Sequence, residues 1–309
     1  MVASRRRRRV KRAAGLALAV ALGVALAPSV AHAYCFTTTC KDVDACDGEE
    51  IPGCATLRWD SGCTGFSVQE NGGSGLSADT TNEIARLAFD AWREVDCGGG
   101  EHPGIVVTDL GQVSCDVVEY NKDAGNANII LFNHEWPYTD ATHTYALTTT
   151  TFDPDTGELL NADIELNSRD HDFTVNDESI QADLLSVLTH ESGHFLGLAH
   201  SGSDEATMFA FYQDGTTDLR SLSPDDVTAI CTRYPPRSDL DDTCNPLPRH
   251  GFSPYCRDDQ PEGDCSVSDL GRATNPPSAS LLVLLGVAAA IRAGAYRRRS
   301  AGRAPSRDR

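Results

Sequence analysis

The feature that most constrains this chain is the run His190-Glu191-Ser192-Gly193-His194-Phe195-Leu196-Gly197-Leu198-Ala199-His200. Residues 179–196 are predicted as a helix, with Ile180, Leu184, Val187 and Leu188 on one apolar face. On such a helix His190 and His194, four residues apart, project from one face with their rings a turn apart. Gly197 ends the helix, because glycine takes a left-handed conformation at little cost. The chain can then fold back and bring His200 to the other two rings. Three imidazoles suit a zinc ion whose fourth position stays open to water. Glu191 lies at the edge of the ligand face, where a carboxylate takes a proton from water without competing for the metal. Apart from the initiator the chain has one methionine, Met208. Its place in Ala206-Thr207-Met208-Phe209-Ala210 fits a turn passing beneath the three histidines.

HExxHxxGxxH followed by this methionine resembles the metzincin zinc endopeptidases. Ser201 after the third histidine, and the spacing to Met208, resemble the matrixin branch. Leu222-Ser223-Pro224-Asp225-Asp226-Val227 is similar to the start of the matrixin C-terminal helix. The helix ending near Trp92 is similar to the first helix of that domain. The resemblance implies an α+β fold: a twisted, mostly parallel sheet, an active-site helix, and a small C-terminal subdomain carrying the Met-turn and a final helix. It implies that His190, His194 and His200 bind catalytic zinc, and that Glu191 is general base and then proton donor to the leaving amine. It places Tyr212 in the wall of the specificity pocket. Ala210 stands where matrixins usually have proline, and no cysteine-switch propeptide is visible. His134, His143 and His171 lack the spacing of the structural zinc site of animal matrixins. The expected activity is zinc-dependent cleavage of protein or peptide substrates. The rival readings are a non-catalytic, zinc-stabilised surface module and a zinc hydrolase acting on cell-wall peptides.

Further helices are predicted over 79–95, capped by Ser77 or Asp79, and over 223–234, where Ser223, Pro224 and two aspartates form a start signal. Strand-like runs cover 104–108, 127–132, 145–152 and 159–166. The last two flank Asp153-Pro154-Asp155-Thr156-Gly157, a hairpin signal. Substrate is expected to pair antiparallel with an edge strand near 145–152. Asp153, Asp155 and Glu158, or Asp163, are possible oxygen ligands for calcium.

The ends read as targeting segments. Arg5 to Arg9, an apolar run over 13–27 and Ala31-His32-Ala33 form a signal peptide, with cleavage expected before Tyr34. Residues 280–291 are apolar and Arg297-Arg298-Arg299 follow, so 278–309 read as an anchor with an Arg-rich end kept inside. Cys265, the apolar span and the arginines together resemble the myxobacterial type of C-terminal sorting tail. Between these ends lie the matrixin-like zinc peptidase domain with a Cys-rich N-terminus, 34–236, and a Pro-rich stalk, 237–277, with one or two disulfides. The partners are thus substrate, export and sorting machinery, and a membrane reached through the tail only. The protein is expected in the cell envelope, at the surface or outside.

Residues 34–291 carry 12 basic and 44 acidic side chains, a formal charge of −32. Such a surface repels phosphates and excludes nucleic-acid binding by charge neutralisation. All 11 cysteines lie between Cys35 and Cys265. Export favours disulfides, but their pairing is not legible from sequence.

Overall fold

The computed structural model describes residues 33–138, 143–178, 180–238 and 244–257. The signal segment before residue 33 and the anchor and tail expected over 278–309 lie outside these residues. Among the described residues no helix is long and apolar enough to cross a membrane.

Two short strands open the fold, β1 (Cys35–Thr37) and β2 (Asp44–Cys46), paired antiparallel. The main sheet has five strands: β3 (Cys63–Gln69), β4 (Val106–Val113), β5 (Ile129–Asn133), β6 (Ala146–Phe152) and β7 (Leu159–Asn167). Their order is β4-β3-β5-β7-β6. All neighbours are parallel except β6, which runs antiparallel to β7 and forms one edge. A mostly parallel sheet with one antiparallel edge strand is the expected architecture. The β6–β7 turn is closed by Asp153, whose carboxylate accepts the amides of Asp155 and Thr156.

Sequence reading did not anticipate β3. Every residue of this strand is buried, including Thr64, Ser67 and Gln69, so it shows no polar–apolar alternation. Gly65 allows Leu110 and the carbonyl of Pro246 to lie against its backbone; a Cβ there would stand 2.6 Å from Leu110 Cδ1.

Helix α1 (Ala78–Arg93) begins where the Ser77 hydroxyl accepts the Thr80 amide, and it buries Ala85, Ala88, Phe89 and Trp92. Helix α2 spans Leu184–Phe195, starting later than expected. Upstream, β8 (Phe173–Thr174) and β9 (Ala182–Asp183) pair in parallel, and Asp183 caps α2 by accepting the Ser186 amide. Ile180 therefore precedes the helix and is not part of its apolar face. Helix α3 (Pro224–Arg233) starts at a reciprocal capping box between Ser223 and Asp226.

Trp92 fastens α1 to α2 by donating its indole N–H to Thr189 O at 2.8 Å. Phe66 stacks on Phe89 with centroids 4.8 Å apart, and Phe89 meets Phe195 edge-on at 4.9 Å. This aromatic column ties sheet, α1 and α2 into one core.

Among the described residues ten cysteines form five disulfides: Cys35–Cys46, Cys40–Cys54, Cys63–Cys244, Cys97–Cys231 and Cys115–Cys256. Residues 244–257, expected to belong to a stalk, instead pack on the domain. Cys256 joins Val113, Cys115, Ile129 and Leu131 in a second apolar cluster, and Pro254 O accepts the amides of Ser114 and Cys115. A chain ending at residue 236 would lose the partners of Cys63 and Cys115. Replacing Cys63 and Cys244 together by alanine should lower stability by ~2–5 kcal/mol, read from reversible denaturant unfolding under oxidising conditions.

Candidate metal centre

Helix α2 carries His190 and His194 on one face and stops at Phe195. Its exposed carbonyls are satisfied from outside: Trp59 Nε1 donates to Phe195 O at 2.9 Å, and the Tyr234 hydroxyl donates to Leu196 O at 2.9 Å. Gly197 then adopts φ +89°, and a Cβ there would stand 2.4 Å from Leu57 O. After this turn β10 (Leu198–Ala199) pairs antiparallel with β1, and His200 follows directly. The three rings lie with centroids 4.8, 5.3 and 4.8 Å apart, and their ligand nitrogens all fall within 4.8 Å of one another. The expected convergence of His190, His194 and His200 is therefore present.

The chemistry of this donor set fits a divalent ion. His190 Nδ1 donates to Thr207 O at 2.7 Å and His194 Nδ1 donates to Leu198 O at 2.9 Å. Those bonds leave Nε2 as the lone-pair nitrogen on each ring and turn it toward the cluster. His194 Nε2 lies 3.2 Å from His200 Nε2. Two nitrogens on a tetrahedral zinc at the usual bond length are about 3.3 Å apart. Burial, reinforced by the charges His194 and His190 would carry, holds the His200 pKa down to about 2. The ring is thus the neutral base that ligation needs.

Met208 is buried against α2, where Gly193 leaves room for it. A Cβ on Gly193 would stand 2.2 Å from Met208 Sδ and 2.9 Å from Trp92 Cζ2. Asp226, fully buried at the start of α3, holds this turn. Its two carboxylate oxygens accept the amides of Thr207 and Met208 at 2.7 and 3.0 Å, and that of Ser223 at 2.8 Å. Ser201 N–H donates to Met208 O, tying the turn to the residue after His200. A chain of bonds therefore runs from α3 through Thr207 to His190. Sequence reading placed Asp226 only as a helix-start acid, and it missed Gly193 because neither residue advertises a distant contact.

Glu191 is buried beside the histidines, and one carboxylate oxygen accepts a bond from the Thr148 hydroxyl of β6. Nothing in the sequence pointed to Thr148. A cavity of about 340 Å³ opens next to His190 and Glu191, walled by Val187, Tyr145, Phe209, Ala210, Tyr212 and Leu219. Tyr212 lines this cavity. Its hydroxyl accepts the Asp183 amide at 3.0 Å and donates to Thr216 O at 2.7 Å, and its ring meets Tyr145 edge-on at 5.1 Å. Arg220 braces the same wall by a two-pronged contact with Asp183, which raises the guanidinium pKa further.

Calcium ligation over 153–163 is not supported. Asp153 is occupied by turn amides, Glu158 pairs with Arg249, and Asp163 is buried between Ile129 N and Asn161. Burial keeps the Asp163 carboxyl well above the usual range. Among the described residues these acids form no cluster able to hold an ion. His134 bonds Ser168 and the His171 ring lies against Tyr145, and among the described residues His134, His143 and His171 form no second histidine cluster.

Two outcomes follow from this geometry. Gly193→Ala should destabilise the protein by ~1–3 kcal/mol in denaturant unfolding, through overpacking against Met208 and Trp92. A histidine whose folded pKa lies below its ordinary 6.5 takes up its proton only on unfolding. The metal-free protein should therefore lose stability as pH falls below about 6.5, with His200 contributing up to ~1.4 kcal/mol per pH unit. His200→Asn should flatten that slope in pH-dependent unfolding.

Residues 58–235 match the matrixin family. Human matrix metalloproteinase-25 is 29% identical over 171 residues, which are 52% of this chain and 26% of that protein. Human matrix metalloproteinase-16 is 28% identical over 169 residues, 54% of this chain and 26% of its own length. Metalloendoproteinase 1-MMP of Arabidopsis thaliana is 28% identical over 165 residues, 53% of this chain and 41% of that protein. The chain thus spans about a quarter to two-fifths of the length of these relatives. The family match takes in the histidine cluster, the turn carrying Met208 and all of α3, and on that basis the chain belongs to the matrixin family of zinc metallopeptidases.

Proposed function

We propose that this matrixin is an exported, envelope-anchored zinc endopeptidase, with His190, His194 and His200 as zinc ligands and Glu191 as general base. The observation that carries the reading is a buried carboxylate beside three converged imidazoles at the mouth of an apolar cavity. Zinc at such a site polarises a carbonyl and lowers the pKa of water toward about 7. Glu191 accepts the proton of the attacking water and later delivers it to the leaving amine. Thr148 holds one oxygen of that carboxylate, which keeps the other directed at the reacting water. The peptide lies antiparallel along the free edge of β6, where backbone groups supply most of the binding. The residue after the scissile bond enters the cavity beside Tyr212, and its apolar walls favour a large aliphatic or aromatic side chain.

The basic, apolar and small-residue order of 5–33 supports export, and 280–299 support the anchor. The five disulfides agree with an oxidising compartment. A purely structural zinc site has no use for a buried carboxylate at Glu191, which favours catalysis over the rival surface module.

The test uses the full chain with its disulfides formed, acting on an unfolded protein. Glu191→Gln should lower kcat/KM by about 10²–10⁴ while zinc content stays unchanged. A chelator should abolish cleavage and added zinc restore it. Equal turnover by both proteins, or cleavage that survives the chelator, overturns the reading. Cut sites mapped by mass spectrometry on a peptide library should carry an apolar residue immediately after the scissile bond. Hydrolysis confined to cell-wall peptides would instead select the alternative substrate class.

A further inference from the structure

The matrixin match begins at residue 58, so the hairpin of β1 and β2 lies outside it. That hairpin nevertheless reaches the metal centre. Phe36 and Cys35 pair with Leu198 and Ala199, the two residues that lead into His200. Thr37 does more than extend the ladder. Its amide donates to Gly197 O at 3.1 Å and its hydroxyl donates to Leu198 O at 3.2 Å. Leu198 O is also the acceptor that orients His194 through Nδ1. A carbonyl oxygen has two acceptor sites, so the two bonds coexist.

Gly197 is the conformationally least restrained residue between His194 and His200, and its φ of +89° is open to glycine alone at low cost. The peptide groups on either side of Leu198 present the Gly197 and Leu198 carbonyls. Thr37 grips both. The disulfide Cys35–Cys46 in turn links β1 to β2, and Cys40–Cys54 closes the loop beyond.

We infer that Thr37 is a positioning residue of the metal centre: through the Leu198 carbonyl it fixes the ring of His194, and through the Gly197 carbonyl it fixes the turn that delivers His200. The N-terminal cystine hairpin is then part of the metal site. Loss of the hydroxyl removes one partner from the Leu198 carbonyl and leaves it freer to swing, which loosens His194. Outer-shell partners of ligating histidines typically matter by 10–100-fold in metal affinity.

This inference rests on the histidines being zinc ligands, and the experiment separates the two. In the full oxidised chain, zinc affinity is measured by competition with a chromophoric chelator, and the visible absorption of the cobalt-substituted protein is recorded. His194→Ala should abolish tight binding; if it binds zinc as wild type does, the ligand assignment itself fails. Thr37→Val, which keeps the side-chain shape, should weaken zinc by about 10-fold and alter the cobalt spectrum. Thr37→Ser keeps the donor and should stay near wild type in both. Thr37→Ala removes the donor without adding bulk and should behave like Thr37→Val. An unchanged affinity and spectrum in Thr37→Val and Thr37→Ala overturn the inference. So does Thr37→Ser as weak as Thr37→Val, since the methyl packing rather than the hydroxyl would then matter.

Discussion

The site depends on where α2 stops. Three imidazoles converge only if the chain reverses directly after the second ring, and Gly197 makes that reversal against the Leu57 carbonyl, where any Cβ would collide. The helix end left behind has carbonyls without intrahelical partners, and leaving them buried and unmet would cost ~1–3 kcal/mol each. Trp59 and Tyr234, distant in sequence on either side of the sheet and α3, meet two of them. Termination of one helix is therefore shared by the whole domain.

The second organising element is the buried carboxylate of Asp226. It caps α3 and at the same time holds the Thr207 and Met208 amides, so the turn carrying Met208 and α3 form one unit. His190 bonds the carbonyl of the same Thr207. Each of the two histidines on α2 is thus oriented by a carbonyl outside the helix: Thr207 for His190, and Leu198 for His194. Those peptide groups are themselves held, the first through the Met208 amide, which the Asp226 carboxylate accepts, and the second by the Thr37 hydroxyl of the N-terminal strand. Rigid support of this kind keeps metal ligands in place.

The cysteines show how far composition reaches. Eleven cysteines in an acidic chain led to an expectation of disulfides, yet the partners lie up to 181 residues apart. Strand β3 was invisible for a related reason. Both its faces are covered, one by α1 and the other by residues around Pro246, so its polarity follows local contacts rather than alternation. Helix α2 began late because Ala182 and Asp183 were drawn into a strand pair with Phe173 and Thr174, a tertiary contact that overrides helical periodicity.

What sequence alone determined is whatever rests on neighbours along the chain. The histidine spacing follows from 3.6 residues per turn, the reversal from a glycine, the start of α3 from Ser223-Pro224 with its aspartates, and the β6–β7 turn from Asp153 and Gly157. Tertiary structure decided everything that needs two distant segments at hydrogen-bonding range. Thr148 reaches Glu191, Asp226 holds the Met-turn, Gly193 leaves room for Met208, and Thr37 grips the carbonyls beside Gly197. None of these carries a local signature, because a hydroxyl, a carboxylate or a missing Cβ acquires its role only from the atom that folding places against it.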